Sequence, residues 1–100
     1  MIQGSTPTHT FKLPFSTALI DAVRISYAQN GVLMLTKRKA DCTICENSIS
    51  VTLTQEETLK FDANSIVEIQ VQVLTTGGDS LPSAIKRVSV DRLLDRTVLV

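Results

Sequence analysis

The sequence has no excess of charge of either sign, and this shortage excludes two kinds of partner. Ten Lys and Arg balance ten Asp and Glu in the 100 residues, so the formal net charge is zero. A chain without net charge creates no long-range field that would attract phosphates or an anionic bilayer. We therefore expect neither nucleic acid nor a membrane as a partner.

Long apolar runs and cysteines are also scarce. No stretch approaches the roughly 20 apolar residues of a membrane-spanning helix. Residues 1–10 are polar and rich in Thr, without the basic and apolar regions of a secretion signal. Two cysteines are too few for a disulfide scaffold. We expect a protein that starts in the cytoplasm and does not depend on an oxidising compartment.

What the chain does contain is enough apolar sequence for one core. Apolar residues make up 43% of the chain and charged residues 20%, which is ordinary for a globular domain. A chain of this length is expected to form a single domain over residues 1–100. Residues 1–7 and 97–100 are left with two alternatives, since they are either flexible or in contact with a partner.

Alternation of apolar and polar residues predicts β-strands with one buried face. The clearest run places Glu68, Gln70 and Gln72 between four β-branched residues, a pattern that is unfavourable for a helix. The predicted core is Phe11, Leu13, Val23, Ile25, Tyr27, Leu33, Leu35, Ile49, Val51, Leu53, Phe61, Val67, Ile69, Val71, Val73, Val88 and Val90.

Six or seven strands at this spacing are typical of a sandwich or barrel. Beyond the alternating runs, the predicted strands are Thr8 to Phe15, Val32 to Arg38, and Pro82 to Val90. In the last of these the apolar phase changes, which predicts a bulge near Lys86 and an edge position. The favoured fold is an all-β, immunoglobulin-like antiparallel β-sandwich with one short helical turn, and the alternative is a small, partly open barrel.

Turn residues suggest the registers. Asn30-Gly31 fits a two-residue turn that pairs Gln29 with Val32, or a three-residue loop that pairs Ala28 with Val32. We favour the loop, because it sets Tyr27 opposite Leu33 and gathers apolar side chains on one face. Gly77-Gly78-Asp79 predicts a second hairpin. Thr54-Gln55-Glu56-Glu57 has the form of a capping box, which predicts one helical turn crossing between sheets.

Cys42-Thr43-Ile44-Cys45 is the sharpest chemical motif, because two cysteines at this spacing can form a redox pair or half of a zinc site. A structural zinc needs four ligands, and the chain adds only His9, so such a site requires a second subunit. The motif is predicted to lie in a loop between Asp41 and Glu46, whose charges raise a thiol pKa. We interpret the cysteines as incidental loop residues, with intersubunit metal binding and redox chemistry as alternatives.

No other group of residues predicts catalysis, a bound cofactor or a metal. His9 lacks a plausible partner, and no nucleophile turn is visible. Glu56, Glu57 and Asp62 lack the spacing of a calcium loop and are interpreted as solvated, with Glu57 engaged in the cap. The basic run from Lys37 to Lys39 is interpreted as a solvated strand end, and Gly77-Gly78 as a turn.

Four segments together resemble a family of small prophage-encoded proteins from gut Clostridia and related Gram-positive bacteria: Gln3-Gly4-Ser5-Thr6-Pro7-Thr8-His9-Thr10-Phe11, Tyr27-Ala28-Gln29-Asn30-Gly31, Leu53-Thr54-Gln55-Glu56-Glu57-Thr58-Leu59-Lys60-Phe61 and Leu74-Thr75-Thr76-Gly77-Gly78. The resemblance extends to the closing Leu93-Leu94-Asp95. It implies a phage setting and a small β-sandwich near tail or baseplate components, and it transfers no catalytic residue. Cys42 fits the family pattern, whereas Cys45 departs from it.

These observations favour a non-enzymatic structural or interaction module of a phage particle, made in the host cytoplasm and then carried in the virion. Such a module works by self-association or by docking onto a tail or baseplate protein, through its termini or an edge strand. The expected contact segments are Ile2 to Phe11 and Asp95 to Val100. One alternative is a metal-binding or redox protein that uses Cys42 and Cys45, and another is a phage regulator directed at the host.

Overall fold

A computed structural model describes residues 1–82 and 85–99. Its strands are β1 (Thr8–Lys12), β2 (Ile20–Gln29), β3 (Val32–Arg38), β4 (Cys42–Ile44), β5 (Ser48–Thr52), β6 (Ile66–Thr75), β7 (Ser80–Pro82) and β8 (Lys86–Ser89). One α-helix, α1 (Gln55–Leu59), and two 3-10 turns, Thr17–Leu19 and Lys39–Asp41, complete the secondary structure of these residues.

The strands form two antiparallel sheets that pack as a sandwich. One sheet has the order β1-β5-β4. The other has the order β3-β2-β6-β7, with β8 also paired to β6. In immunoglobulin domains, strands B, E and D lie in one sheet, and strands C and F lie in the other with G and C′ at their sides. The same orders occur here, so the predicted immunoglobulin-like sandwich is confirmed.

The core lies between the sheets, where the alternating apolar residues meet. Ile25, Tyr27, Ile49, Leu53 and Val67 are each fully buried. Twelve of the seventeen predicted core residues are buried, and four more pack partly buried against them: Phe11, Leu13, Leu35 and Val88. The prediction for Leu33 is wrong, because this side chain is 61% exposed.

The position of Leu33 follows from the register of the β2–β3 hairpin. Asn30 and Gly31, both with positive φ, form a two-residue turn that pairs Gln29 with Val32. The favoured three-residue loop is therefore wrong. A register shift then sets Tyr27 opposite Leu35. The shift leaves one extra residue, Met34, in β3 between the partners of Tyr27 and Ala28. Because an extra residue changes the face to which the side chains on one side of it point, Leu33 points outward while Leu35 remains inside.

Two connections follow the sequence prediction. Thr54 Oγ1 accepts a hydrogen bond from the Glu57 amide, and the Glu57 carboxylate accepts one from the Thr54 amide. This capping box begins α1, which links β5 in one sheet to β6 in the other. The hairpin at Gly77-Gly78-Asp79 is also present, since Leu74 pairs with Ser80 across it.

Strand boundaries differ from the prediction in three places, which raises the count in the described residues to eight. β1 ends at Lys12 rather than Phe15. The single strand from Pro82 to Val90 is wrong, because β7 ends at Pro82 and β8 begins at Lys86. Part of the interval between them, 83–84, lies outside the described residues. The third difference is β4, which stands where a loop was expected.

Candidate functional site

The two cysteines occupy different environments. Cys42 begins β4, packs against the core and donates through its Sγ to the Arg38 carbonyl oxygen at 3.3 Å. Cys45 follows the strand and is exposed. Both are free thiols, and burial together with the charge of Asp41 raises the pKa of Cys42. A redox pair needs adjacent thiols and an activated thiolate, so this arrangement does not favour one.

Metal binding is not favoured by the geometry either. Within residues 1–82 and 85–99, no group of three His, Cys, Asp or Glu side chains is close enough to hold an ion. His9 lies in β1, whereas Cys42 lies in β4 on the far side of β5.

Among the residues that the structure describes, no helix has the length and apolar character needed to cross a bilayer.

His9 has a partner that sequence reasoning missed. Its Nδ1 lies 2.8 Å from the Tyr27 hydroxyl, and the two rings are 5.7 Å apart. His9 is in β1 and Tyr27 is in β2, so this hydrogen bond joins the two sheets through the sandwich. Burial is the main cause that lowers the pKa of His9 and raises that of Tyr27. A neutral histidine held by a neutral phenol is a structural pair.

The basic run and the acidic residues also form a contact that the sequence did not predict. Lys37 Nζ lies 2.7 Å from Glu57 Oε2, with both side chains mostly shielded from water. Lys37 is therefore not a solvated strand end, whereas Arg38 is exposed. The ion pair and the cap lower the pKa of Glu57 against an opposing effect of burial. This group fastens α1 to β3, while Glu56 and Asp62 are exposed.

An apolar groove of about 600 Å³ opens along one flank of the sandwich. On the side of the three-stranded sheet it is lined by Phe11, Leu13 and Phe15, and on the other side by residues of β6 and β7 that include Val71 and Leu81. The sandwich is open here because β1 ends one sheet while β7 and β8 lie at the margin of the other. Core side chains consequently line a cavity that reaches the surface.

A second cavity of about 250 Å³ extends the groove toward the N-terminus. It shares Phe11, Ile69 and Lys86 with the larger one, and it also includes His9. The charged residues that line the larger cavity are Lys12 and Lys86. The groove is therefore apolar along its length, with positive charge at its margin.

The outer edge of β1 offers backbone groups beside this groove. Leu53 donates its amide to the Pro7 carbonyl, and Leu13 donates its amide to the Asn47 carbonyl. Along an antiparallel strand, every second residue directs its N–H and C=O toward the neighbouring strand, and the residues between them direct theirs to the opposite edge. The odd-numbered residues of β1 therefore bond to β5, and Thr8, Thr10 and Lys12 direct their N–H and C=O outward.

The side chains of Thr8 and Thr10 lie where they should if these residues form non-hydrogen-bonded pairs with β5. Closely spaced, non-hydrogen-bonded pairs bring their side chains together. Accordingly, the Thr8 and Thr52 hydroxyls lie 2.7 Å apart, and those of Thr10 and Ser50 lie 3.0 Å apart. Within the described residues β1 pairs with β5 alone, so its other side is a free strand edge.

The N-terminal contact segment, Ile2 to Phe11, divides into two parts. Ile2 forms a parallel bridge with Asp91, and Gln3 is buried. Gln3 Nε2 donates to the Phe61 carbonyl at 2.7 Å, and its Oε1 accepts from the Leu93 amide at 3.2 Å. These residues are fixed within the chain itself. No sequence signal marks Gln3, because it stands in a polar segment. The free edge belongs to the other part, which is β1.

The C-terminal segment, Asp95 to Val100, lies against α1 as far as it is described. The Gln55 side chain exchanges two hydrogen bonds of 3.0 Å with the backbone of Leu99. Arg96 donates to the Leu59 carbonyl at 2.7 Å. The Leu99 side chain is 82% exposed, and Val100 is outside the described residues. The tail is held mainly by polar contacts.

Comparison with known proteins gives one structural similarity to report. No protein-family model and no curated protein matches the sequence. Among solved structures, the V domain of amphioxus IgVJ-C2 aligns over 93% of this chain and 97% of that chain, at 14% sequence identity and a TM-score of 0.39. The strand order of the two sheets identifies the fold.

Proposed function

We propose that this chain is a non-enzymatic interaction module of a phage particle, associated with the tail or baseplate, and that it binds its partner by strand addition at β1. The observation that carries the proposal is the free edge of β1 beside an apolar groove. An extended segment added there gains main-chain hydrogen bonds from the edge and pockets for alternate side chains from the groove. The prophage setting is supported by the sequence resemblance.

The proposal assigns no catalytic role, because the candidate residues are engaged in contacts that hold the fold. His9 is engaged by Tyr27, and Glu57 by Lys37 and the helix cap. Tyr27 is fully buried, and burial raises its pKa above the ordinary value of 10.0, so its phenol is even less able to lose a proton than a free tyrosine. These groups hold the sandwich together, and none of them uses the edge of β1 or the groove beside it.

The test exploits the phase of β1. Thr10→Pro removes an amide that points outward, so it blocks the edge without removing a hydrogen bond to β5. Thr10→Val is the matched control, because it also loses the hydroxyl contact with Ser50 but keeps the amide. Both variants should unfold in urea with free energies within about 1 kcal/mol of each other, as befits an exposed position.

Particles purified on a density gradient from an induced lysogen then decide the proposal. We expect the wild-type chain and Thr10→Val to sediment with the particles and Thr10→Pro to be depleted at least about tenfold, since a blocked edge loses main-chain bonds. Equal incorporation of both variants would refute strand addition at β1. Absence of the wild-type chain from particles would refute the particle role and favour a host-directed regulator.

A further inference from the structure

The free edge of β1 is complementary to itself. Its outward N–H and C=O groups belong to Thr8, Thr10 and Lys12, which are evenly spaced about Thr10. We infer that the occupant of this edge is a second copy of the chain, whose β1 pairs antiparallel with the first in a register that sets Thr10 opposite Thr10. The inference rests on the proposed function and names its partner.

Hydrogen-bond phase and strand length together favour this register. A shift by two residues keeps the phase, but it places Thr8 or Lys12 beyond the end of the partner's β1. With Thr10 opposite Thr10, Thr8 of one copy faces Lys12 of the other, so outward-pointing residues always meet outward-pointing residues. A shift by one residue would set the outward amides of one copy against residues already bonded to β5. Centring on Thr10 therefore lets every outward group of both strands bond across a two-fold axis.

Charge and proline placement agree with the same register. Lys12 of each copy faces Thr8 of the other, so the two ammonium groups are not opposite each other, and like charges in that position destabilise a sheet. Pro7 has the phase of the residues that bond to β5, so its missing N–H is not needed at the outer edge. Pro14 has the outward phase, and its missing N–H ends the edge after Lys12.

The groove distinguishes a strand from other occupants. An amphipathic small molecule would fill the apolar space but leave the outward backbone groups of β1 bonded only to water. Pairing of two β1 strands satisfies those groups and brings the open flanks of two sandwiches together, so that apolar surface around Phe11 and Leu13 is removed from water at the same time. The chain has zero net charge, so copies do not repel at long range.

Cysteine crosslinking tests the register directly. In a Cys42→Ser, Cys45→Ser background, Thr10→Cys places two thiols on a hydrogen-bonded pair whose Cα atoms lie about 5.5 Å apart, within disulfide range. We expect crosslinked dimer on mild oxidation to form at least about tenfold faster with Thr10→Cys than with Thr8→Cys. An equal mixture of Thr8→Cys and Lys12→Cys chains should crosslink, whereas neither chain should do so alone.

Light scattering after size exclusion supplies the non-covalent measurement. For the wild type we expect a concentration-dependent dimer that a chelator does not affect. Thr10→Pro should raise the dissociation constant of this dimer at least about tenfold, because the two Thr10 amides donate across the axis. Thr10→Val keeps the amide and should leave the dissociation constant unchanged. A monomer at all concentrations would overturn the second-copy inference. Particle incorporation that still depends on Thr10 would then preserve strand addition with a different protein as partner. Equal crosslinking of Thr8→Cys and Thr10→Cys alone would overturn the register.

Discussion

The hydrogen bond between His9 and Tyr27 should contribute measurably to stability, because it joins the two sheets inside the sandwich. Tyr27 is fully buried, and its hydroxyl lies 2.8 Å from His9 Nδ1. Tyr27→Phe keeps the ring contact with Phe61 but leaves the imidazole nitrogen without this partner. His9 is half-buried, so loss of this hydrogen bond costs about 0.5–1.5 kcal/mol. Each kcal/mol lowers the Tm of such a domain by roughly 4–8 °C.

The same pair gives the fold a pH dependence with a definite sign. Burial, then the positive charges of Lys86 and the N-terminus, lower the pKa of His9 below its usual 6.5. The unfolded chain therefore takes up this proton at a higher pH than the folded chain. The stabilisation is complete above pH 6.5 and is lost as the pH falls through the folded-state pKa.

Urea unfolding measured between about pH 7.5 and pH 5 isolates this effect, because ordinary carboxylates titrate lower. We expect the free energy of unfolding of the wild type to fall toward acid across this range. His9→Gln, which keeps hydrogen-bonding capacity but has no proton to gain, should show a flatter curve. Parallel curves for the two proteins would refute the assignment of the pH dependence to His9, and an unchanged Tm in Tyr27→Phe would refute the contribution of the bond.

Three further predictions concern the core, the ion pair and the thiols. Phe61→Ala should lower the free energy of unfolding by about 3–5 kcal/mol and Leu33→Ala by less than about 0.5, and similar losses in urea titrations would contradict the observed register. Glu57→Ala should cost about 1–2 kcal/mol, because the cap and a shielded ion pair are lost together; a thermal melt matching the wild type would argue against both contacts. Cys45 should react at least about tenfold faster than Cys42 with a thiol reagent at pH 8, since it is exposed and Cys42 has a raised pKa; equal rates in the two single Ser variants would contradict the packing of β4.

The sequence contained most of the local structure. Alternation in β2, β5 and β6 identified which face of each strand is buried, because side chains of period two separate onto two faces whatever the strand pairs with. The sequence also predicts the capping box at Thr54 and the glycine turn after Thr76, because each is made by residues within a few positions of one another. These local signals were sufficient to predict an antiparallel sandwich.

The sequence did not predict the register of the β2–β3 hairpin. Neither the two-residue turn nor the three-residue loop at Asn30-Gly31 predicts the observed partner of Tyr27, because neither includes the register shift further along the strands. The shift between Tyr27 and Ala28 places one more residue in β3 than in β2 between two paired positions, which exposes Leu33 and keeps Leu35 inside. Apolar side chains on both sides of the shift gave no reason to choose one face over the other.

The candidate site was decided by tertiary structure, because alternation specifies a strand's face and not its neighbours. Phe11 and Leu13 read as core residues in the sequence, yet they line a groove, since β1 is an edge strand and the flank beside it is open. His9 acquires Tyr27 over 18 positions and Lys37 acquires Glu57 over 20. Such separations leave no local pattern, so these contacts and the free edge of β1 exist only once the two sheets have packed.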